Sequence, residues 1–222
     1  MATPTRAAIF DMDGLLVDSE PLWHVAELEI LGDLGVQLDR DGTRQTKGMF
    51  VAEVVDHWHE QFPWGGPSRP EVVEQILDRV GELTIERGQV LPGAIETVAA
   101  MAERGPVALA SSTPRRLIEV VLGHIGLADA FVAICSAEDE AWGKPHPAVF
   151  LTAAAAVDVP PQRCVVFEDS PAGVLAAKAG RMVCVAVPEA SERHVPAMGI
   201  ADIVLDSLVD LDHAFLDTLL EA

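Results

Sequence analysis

The 222-residue chain has no tyrosine and few aromatics of any kind, with 7 Phe and 4 Trp. Its apolar half is therefore mostly Ala, Val and Leu, the usual material of helices packed on a buried sheet. Basic residues are scarce, 15 Lys and Arg against 35 Asp and Glu, for a formal charge of −20. That argues against general binding to nucleic acid or to anionic membranes, which need a basic surface. An anionic small molecule stays open, because one pocket can be positive on an acidic protein. Cysteine occurs only at Cys135, Cys164 and Cys184, each inside an apolar run. The three match neither a disulfide framework nor a CxxC or zinc spacing, so buried reduced thiols are expected. No apolar run reaches the roughly 18 residues of a membrane span, and no charged region followed by a long apolar one opens the chain. The expectation is a soluble, cytoplasmic, monomeric protein without nucleic-acid or membrane partners.

Against this background, short apolar runs stand out: AAIF (7–10), VALA (107–110), FVAI (131–134), CVVF (164–167) and VCVAV (183–187). Their length and their Val, Ile and Ala content suit strands buried on both faces. Helical stretches separate the later runs. TPRRLIEVVLGHIG has Thr113 as N-cap, Pro114 at the first helical position and Gly126 near its end. SPAGVLAAKAG repeats the scheme with Ser170, Pro171 and Gly180. Alternating strands and helices predict an α/β fold on a parallel, Rossmann-like sheet, with binding chemistry at the carboxyl ends of the strands.

Between the first two strands the rhythm breaks, and residues 11–106 read mostly as helix. Leu22, Val25, Leu28, Leu31 and Leu34 recur every three residues. Val51, Val54, Val55, Trp58 and Phe62 form a helical stripe, as do Val73, Ile76, Leu77, Val80 and Leu83. FPWGGPSRP (62–70) reads as a loop. The expected organisation is a core of residues 1–17 and 90–222, with an all-helical module, residues 18–89, inserted after the first strand.

Asp11 and Asp13 stand two apart where that strand ends, in DMDG. Residues i and i+2 of an extended segment face one side, so both carboxylates could enter one cleft. At about 4 Å and an effective dielectric of about 20, two like charges repel by roughly 4 kcal/mol. The pair is either two aspartates of a surface turn or part of a site that holds a cation or moves a proton. Ser111, Ser112 and Thr113 follow the second strand at a helix N-terminus, where amides and hydroxyls suit a phosphate as well as an ordinary cap. Glu168 and Asp169 follow CVVF, as capping acids or metal ligands. Lys144, in GKPHP, precedes a proline that holds it extended, so it projects from a loop; alone it would be surface decoration. In combination these residues are carboxylates, hydroxyls and a lysine at the ends of separate strands. Mg²⁺ suits such a set, because it takes one or two carboxylates together with phosphate oxygens.

On AIFDMDGLLVDSEPLW, PWGGPSRPEVVE, LASSTP, KPHP and the acidic pair at 168–169, the chain resembles the haloacid dehalogenase-like hydrolase superfamily along its whole length. The subclass is the one with a helical cap inserted after the first motif, and within it the bacterial sugar-phosphate phosphatases of the hexitol phosphatase type. The resemblance implies Mg²⁺-dependent hydrolysis of hexose or hexitol monophosphates. It implies Asp11 as the nucleophile that forms an aspartyl-phosphate, and Asp13 as general acid and base. Mg²⁺ would touch Asp11, the backbone carbonyl of Asp13, and Asp169, with Glu168 behind them near Lys144. Ser111 and the amide of Ser112 would hold phosphate oxygens, and Lys144 would neutralise nucleophile and phosphoryl group. Lys47, in TKGM, resembles a cap lysine that contacts substrate in related phosphosugar enzymes. Two carboxylates divide the work because a sugar alkoxide is a poor leaving group and needs a proton while the other carboxylate attacks. Two rival readings are a phosphosugar mutase of the β-phosphoglucomutase type and a non-catalytic phosphometabolite-binding protein. The mutases resembled carry a His where this chain has Trp23 and an Arg, for a second phosphate, where it has Val51.

Overall fold

In a computed structural model, which describes residues 6–38, 49–212 and 214, AAIF forms β1 (Ala7–Phe10), buried at every position. Five further strands follow: β2 (Val107–Ser111), β3 (Ala133–Ser136), β4 (Cys164–Glu168), β5 (Val183–Ala186) and β6 (Ile203–Val204). All pair in parallel, in the order β3-β2-β1-β4-β5-β6. The chain builds outward from β1 through β2 to β3, then returns to the far side of β1 at β4. Open α/β sheets bind their ligands where the strand order reverses in this way, outside the carboxyl ends.

Two strands differ from expectation. β3 begins two residues into FVAI, at Ala133: Val132 is 68% exposed, although its amide donates to Val107 O at 2.8 Å. β6 has only two residues, too few for an apolar run to announce it. The other strands match because both faces of a central parallel strand are covered, which leaves a continuous apolar stretch. Phe10 stacks on Phe167 of β4 with ring centroids 4.6 Å apart, and Phe131 meets it edge-on at 6.2 Å. Cys135, Cys164 and Cys184 are free thiols buried in β3, β4 and β5. Burial pushes Cys164 up to about 11 and Cys184 up to about 12.

The chain divides into two compact units, residues Asp18–Gln89 and the remainder, Met1–Val17 with Val90–Ala222. Described by itself, the first holds α1 (Glu20–Asp33), α2 (Val51–Gln61) and α3 (Arg69–Arg87). α3 packs against both others. Its start is set by a capping box, with Ser68 N and Oγ both donating to Glu71 Oε2 at 2.7 Å. Arg79 ties α3 to α1 through Glu29 Oε2 at 2.7 Å. Trp64 packs within the loop before α3, donating to Pro67 O at 3.2 Å with His59 against its ring.

The buried lines of these helices depart from the expected stripes. On α1 the inward residues are Leu22, Ala26, Glu27 and Leu31, while Val25, Leu28 and Leu34 are half-buried. Steps of three fall behind a 3.6-residue turn and walk around the helix. Of the adjacent valines that open α3, Val72 is buried and Val73 only half-buried, and on α2 Phe62 ends up 44% exposed beyond the helix. Lys47 lies outside the described residues.

The second unit adds α4 (Ala94–Ala102), α5 (Arg115–His124), α6 (Ala148–Ala156) and α7 (Pro171–Ala179) to the sheet. α7 begins as expected, with Ser170 as N-cap accepting from Gly173 N at 3.0 Å. α5 does not: it starts at Arg115 with Pro114 in the capping position, and Thr113 makes no cap. Among the described residues, no helix is long and apolar enough to cross a membrane.

Glu27 is the unexpected buried residue, 8% exposed with its Oε2 lacking any hydrogen-bond partner. Burial, and then the charge of Glu20, push its carboxyl up to about 8. An unfolded glutamate ionises near pH 4.3, so the unfolded state loses this proton first. Stability is therefore full below about pH 4.3, falls as pH rises toward 8, and levels off above it. Glu27→Gln, which has no proton to lose, should gain on the native protein across that window, by on the order of 1–3 kcal/mol at pH 8. Urea midpoints at a series of pH values test this; a pH-independent difference between the two proteins rejects it.

Candidate active site

Asp11 is the first residue past β1, and its amide donates to Phe167 O at 3.0 Å, holding its backbone against β4. Its Oδ1 accepts from Lys144 Nζ at 2.5 Å. The same ammonium donates to Glu168 Oε1 at 2.6 Å and to Ala110 O at 3.3 Å, and sits 4.7 Å from the centre of the Phe150 ring. The three charged side chains are almost dry, with 5% exposure for Lys144, 8% for Asp11 and 1% for Glu168. The loop carrying Lys144 turns through a cis Lys144–Pro145 bond.

Glu168 ends β4, and its second oxygen is also committed. Oε2 accepts from Ser170 N at 2.7 Å and from Ser170 Oγ at 3.0 Å. One serine thus caps α7 and fixes the glutamate. Gly173, in the first turn of α7, lies against it: a Cβ there would fall 1.7 Å from Glu168 Oε1. Asp169 is buried as well, and Asp11, Glu168 and Asp169 each offer a carboxylate oxygen within 4.8 Å of the others. Gly14, at φ +73°, makes the turn after β1 possible, and a Cβ on it would meet Asp169 Oδ2 at 2.3 Å.

Asp13 is half-buried on that same turn and faces β2. Its Oδ2 accepts from Thr113 Oγ1 at 2.6 Å and lies 3.5 Å from Ser111 Oγ. Ser111, fully buried at the end of β2, accepts from Thr113 N at 3.1 Å. Ser112 sits half-buried in the turn that follows. His146 accepts from Ala148 N at 3.3 Å, at the start of α6.

Burial and the charge of Lys144 set the electrostatics of the site. Burial pushes Asp11 up to about 7; Lys144 pulls it down, while Glu168 and Asp13 add to the rise. For Lys144, burial alone would lower the pKa, but the charges of Asp11 and Glu168 and their hydrogen bonds carry it above the ordinary lysine range. Lys144 is therefore charged, and its ammonium is shared by two buried carboxyl groups, those of Asp11 and Glu168. Glu168 is saturated by Lys144 and Ser170, while Asp11 and Asp169 are the other two acids of the cluster that could hold a metal. Hard oxygens in this number fit Mg²⁺.

The structure thus brings Asp11, Lys144, Glu168 and Asp169 into one cluster, with Asp13, Ser111 and Ser112 on its β2 side. Sequence reasoning missed the contact of Thr113 with Asp13, the second task of Ser170 and the closeness of Gly173. Only Ser170 carried a local signal, its position two residues beyond Glu168.

A profile of haloacid dehalogenase-like hydrolases matches residues 5–181, and the chain belongs to that family. Hexitol phosphatase B of Escherichia coli (strain K12) is 46% identical over 215 residues, covering 95% of this chain and 97% of that protein. Fructose-1-phosphate phosphatase YqaB of the same organism is 30% identical over 182 residues, 81% of this chain and 94% of its own. Among solved structures, CbbY from Rhodobacter sphaeroides in complex with phosphate aligns with a TM-score of 0.85 at 29% identity, over 96% of this chain and 99% of that one. The β-phosphoglucomutase of Clostridium difficile gives 0.83 at 26% identity, over 97% of each chain.

Two glycines in helices should respond oppositely to a methyl group. Gly173→Ala should cost about 1–3 kcal/mol by forcing Glu168 aside. Gly123→Ala, in α5 with nothing within 4 Å, should stabilise by roughly 0.5–1 kcal/mol. Chemical denaturation of both variants checks the pair, and equal effects would contradict the packing at Glu168.

Proposed function

We propose that the chain is a Mg²⁺-dependent phosphatase, acting as a cytoplasmic monomer, that hydrolyses hexose or hexitol monophosphates through an aspartyl-phosphate on Asp11. The observation that carries this reading is the Lys144 ammonium 2.5 Å from Asp11 Oδ1, in a buried cluster that also holds Asp169. Asp11 attacks phosphorus as the bond to the sugar oxygen breaks, and Asp13 gives its proton to that oxygen. Water then attacks the acyl phosphate while Asp13, now a carboxylate, takes the water's proton; phosphate leaves and Asp11 is restored. Lys144 holds Asp11 in place and offsets charge on the phosphoryl group. Ser111 Oγ and the Ser112 amide take the remaining phosphate oxygens. Asp11, Asp169 and the backbone carbonyl of Asp13 would hold the metal, which supplies positive charge where an anionic nucleophile meets an anionic phosphate.

Fixed charges matter here because phosphate-monoester hydrolysis is among the slowest uncatalysed reactions, and enzymes accelerate it by up to about 10²¹-fold. The substrate class is supported by the 46% identity to a hexitol phosphatase and by a second relative named for fructose 1-phosphate. Lys47 is a proposed substrate contact. The mutase reading is favoured by the β-phosphoglucomutase neighbour. It stays second because Val51, at the start of α2, offers no charge to a second phosphate.

Phosphate release across a panel of hexose and hexitol phosphates tests the reading. Release should require Mg²⁺ and no bisphosphate activator, and Asp11→Asn should lower kcat by roughly 10³-fold or more. Activity that survives both EDTA and Asp11→Ala refutes the mechanism. Isomerised sugar phosphate without free phosphate establishes the mutase instead, and binding without turnover the non-catalytic phosphometabolite-binding protein.

A further inference from the structure

Thr113 has no part in the scheme above, yet its hydroxyl lies closer to Asp13 than that of Ser111 does. From its place before Pro114 a helix cap would be expected, but the start of α5 is capped from elsewhere: Arg115 N donates to Glu138 Oε1 at 2.8 Å. The Thr113 hydroxyl is thereby released, and it donates to Asp13 Oδ2 at 2.6 Å from a residue only 5% exposed. Its backbone is pinned on both sides. Thr113 N donates to Ser111 Oγ at 3.1 Å, and Thr113 O accepts from Ser136 Oγ at 2.7 Å. Ser136, buried at the end of β3, is itself fixed by accepting from Glu138 N at 3.1 Å. A hydroxyl anchored to β2 and β3 therefore holds a carboxylate carried on the turn after β1.

We propose that Thr113 is a positioning residue for Asp13, holding its carboxyl group through the Oγ1–Oδ2 hydrogen bond in the orientation that delivers a proton to the leaving alkoxide. The inference rests on the phosphatase reading and assigns a residue that reading does not use. In the first half-reaction a bond forms between an Asp11 oxygen and phosphorus. The bond from phosphorus to the sugar oxygen breaks, its electron pair stays on that oxygen, and the proton of Asp13 moves to it. A protonated carboxyl has one donor oxygen and one that can only accept. Thr113 Oγ1 donates to Oδ2, so the acid proton resides on Oδ1, and the rotation that presents Oδ1 is fixed. Without the hydroxyl, the hold on both the choice of oxygen and the rotation is weakened, because Ser111 Oγ, 3.5 Å from Oδ2, is too distant to replace it. A general acid contributes typically 10²–10⁴-fold, and a misplacement of about 1 Å can cost about 10²-fold.

The test exploits leaving groups. A sugar alkoxide needs the proton, whereas p-nitrophenolate departs without one. In kcat/KM, which reports the step in which the leaving group departs, Thr113→Val should lose roughly 30- to 100-fold on the alkyl phosphate that the native enzyme turns over fastest. On p-nitrophenyl phosphate the loss should be less than about threefold, and Thr113→Ser should restore the alkyl rate to within about threefold of native. The ratio of the two activities within one preparation cancels the fraction of folded enzyme, so poor folding of the valine variant does not obscure the result. Equal losses on both esters, no loss on either, or a serine variant as impaired as valine overturns the inference while leaving the phosphatase reading standing. A native protein that releases phosphate from no alkyl ester overturns that reading, and the inference with it.

Discussion

One ammonium group, Lys144 Nζ, is shared by two carboxylates, Asp11 and Glu168, at a place that water hardly reaches. Burying an ion costs several kcal/mol after relaxation, and the cost is recovered only when geometry is good and the remaining lone pairs are satisfied. Here the satisfaction is uneven. Glu168 has Lys144 on one oxygen and Ser170 on the other, so it is complete. Asp11 shares its cation, and Asp169 adds a further acid within reach. The cluster is therefore complete at Glu168, whereas Asp11 has only a share of the Lys144 ammonium.

The sheet sets this geometry. Phe10 pairs with Phe167 and with Leu109, so the residues that follow each of them emerge side by side at one edge. A slip of one residue would send every alternate side chain to the opposite face. The stacked Phe10 and Phe167 rings oppose such a slip from within the core, and the Asp11–Phe167 backbone bond opposes it at the edge. The two close-packed glycines work in the same direction. Gly14 admits the Asp169 carboxylate and Gly173 admits that of Glu168, so the acids sit where any side chain would have excluded them.

How much of this was legible in the residues depends on how local the cause is. Ser170-Pro171 marks a helix start by chemistry confined to four residues, and AAIF marks a central strand because both its faces are covered. β3, nearer the sheet edge, loses that signal, and the two-residue β6 never had it. The insert's helices were visible as stripes, but which valine faces inward, Val72 or Val73, depends on a partner helix that no stripe describes. Glu27 ran against every pattern, since a buried unpaired acid has no sequence signature. For the site, the residue types at the strand ends were plain, whereas their convergence depended on the order in which the strands pair. Family resemblance, rather than spacing, suggested the roles. Thr113 reads as a local cap because its competitor for that task, Glu138, stands 25 residues further along the chain, past β3.

The three cysteines offer a practical consequence. Cys135, Cys164 and Cys184 belong to three different strands, and burial holds all three above the ordinary thiol range. Near neutral pH almost none is thiolate, the form that reacts with alkylating agents. A maleimide added to the folded enzyme therefore has nothing to modify until the sheet opens. The protein carries three internal reporters of its own unfolding, spread from one side of β1 to the other, with no label needing to be engineered.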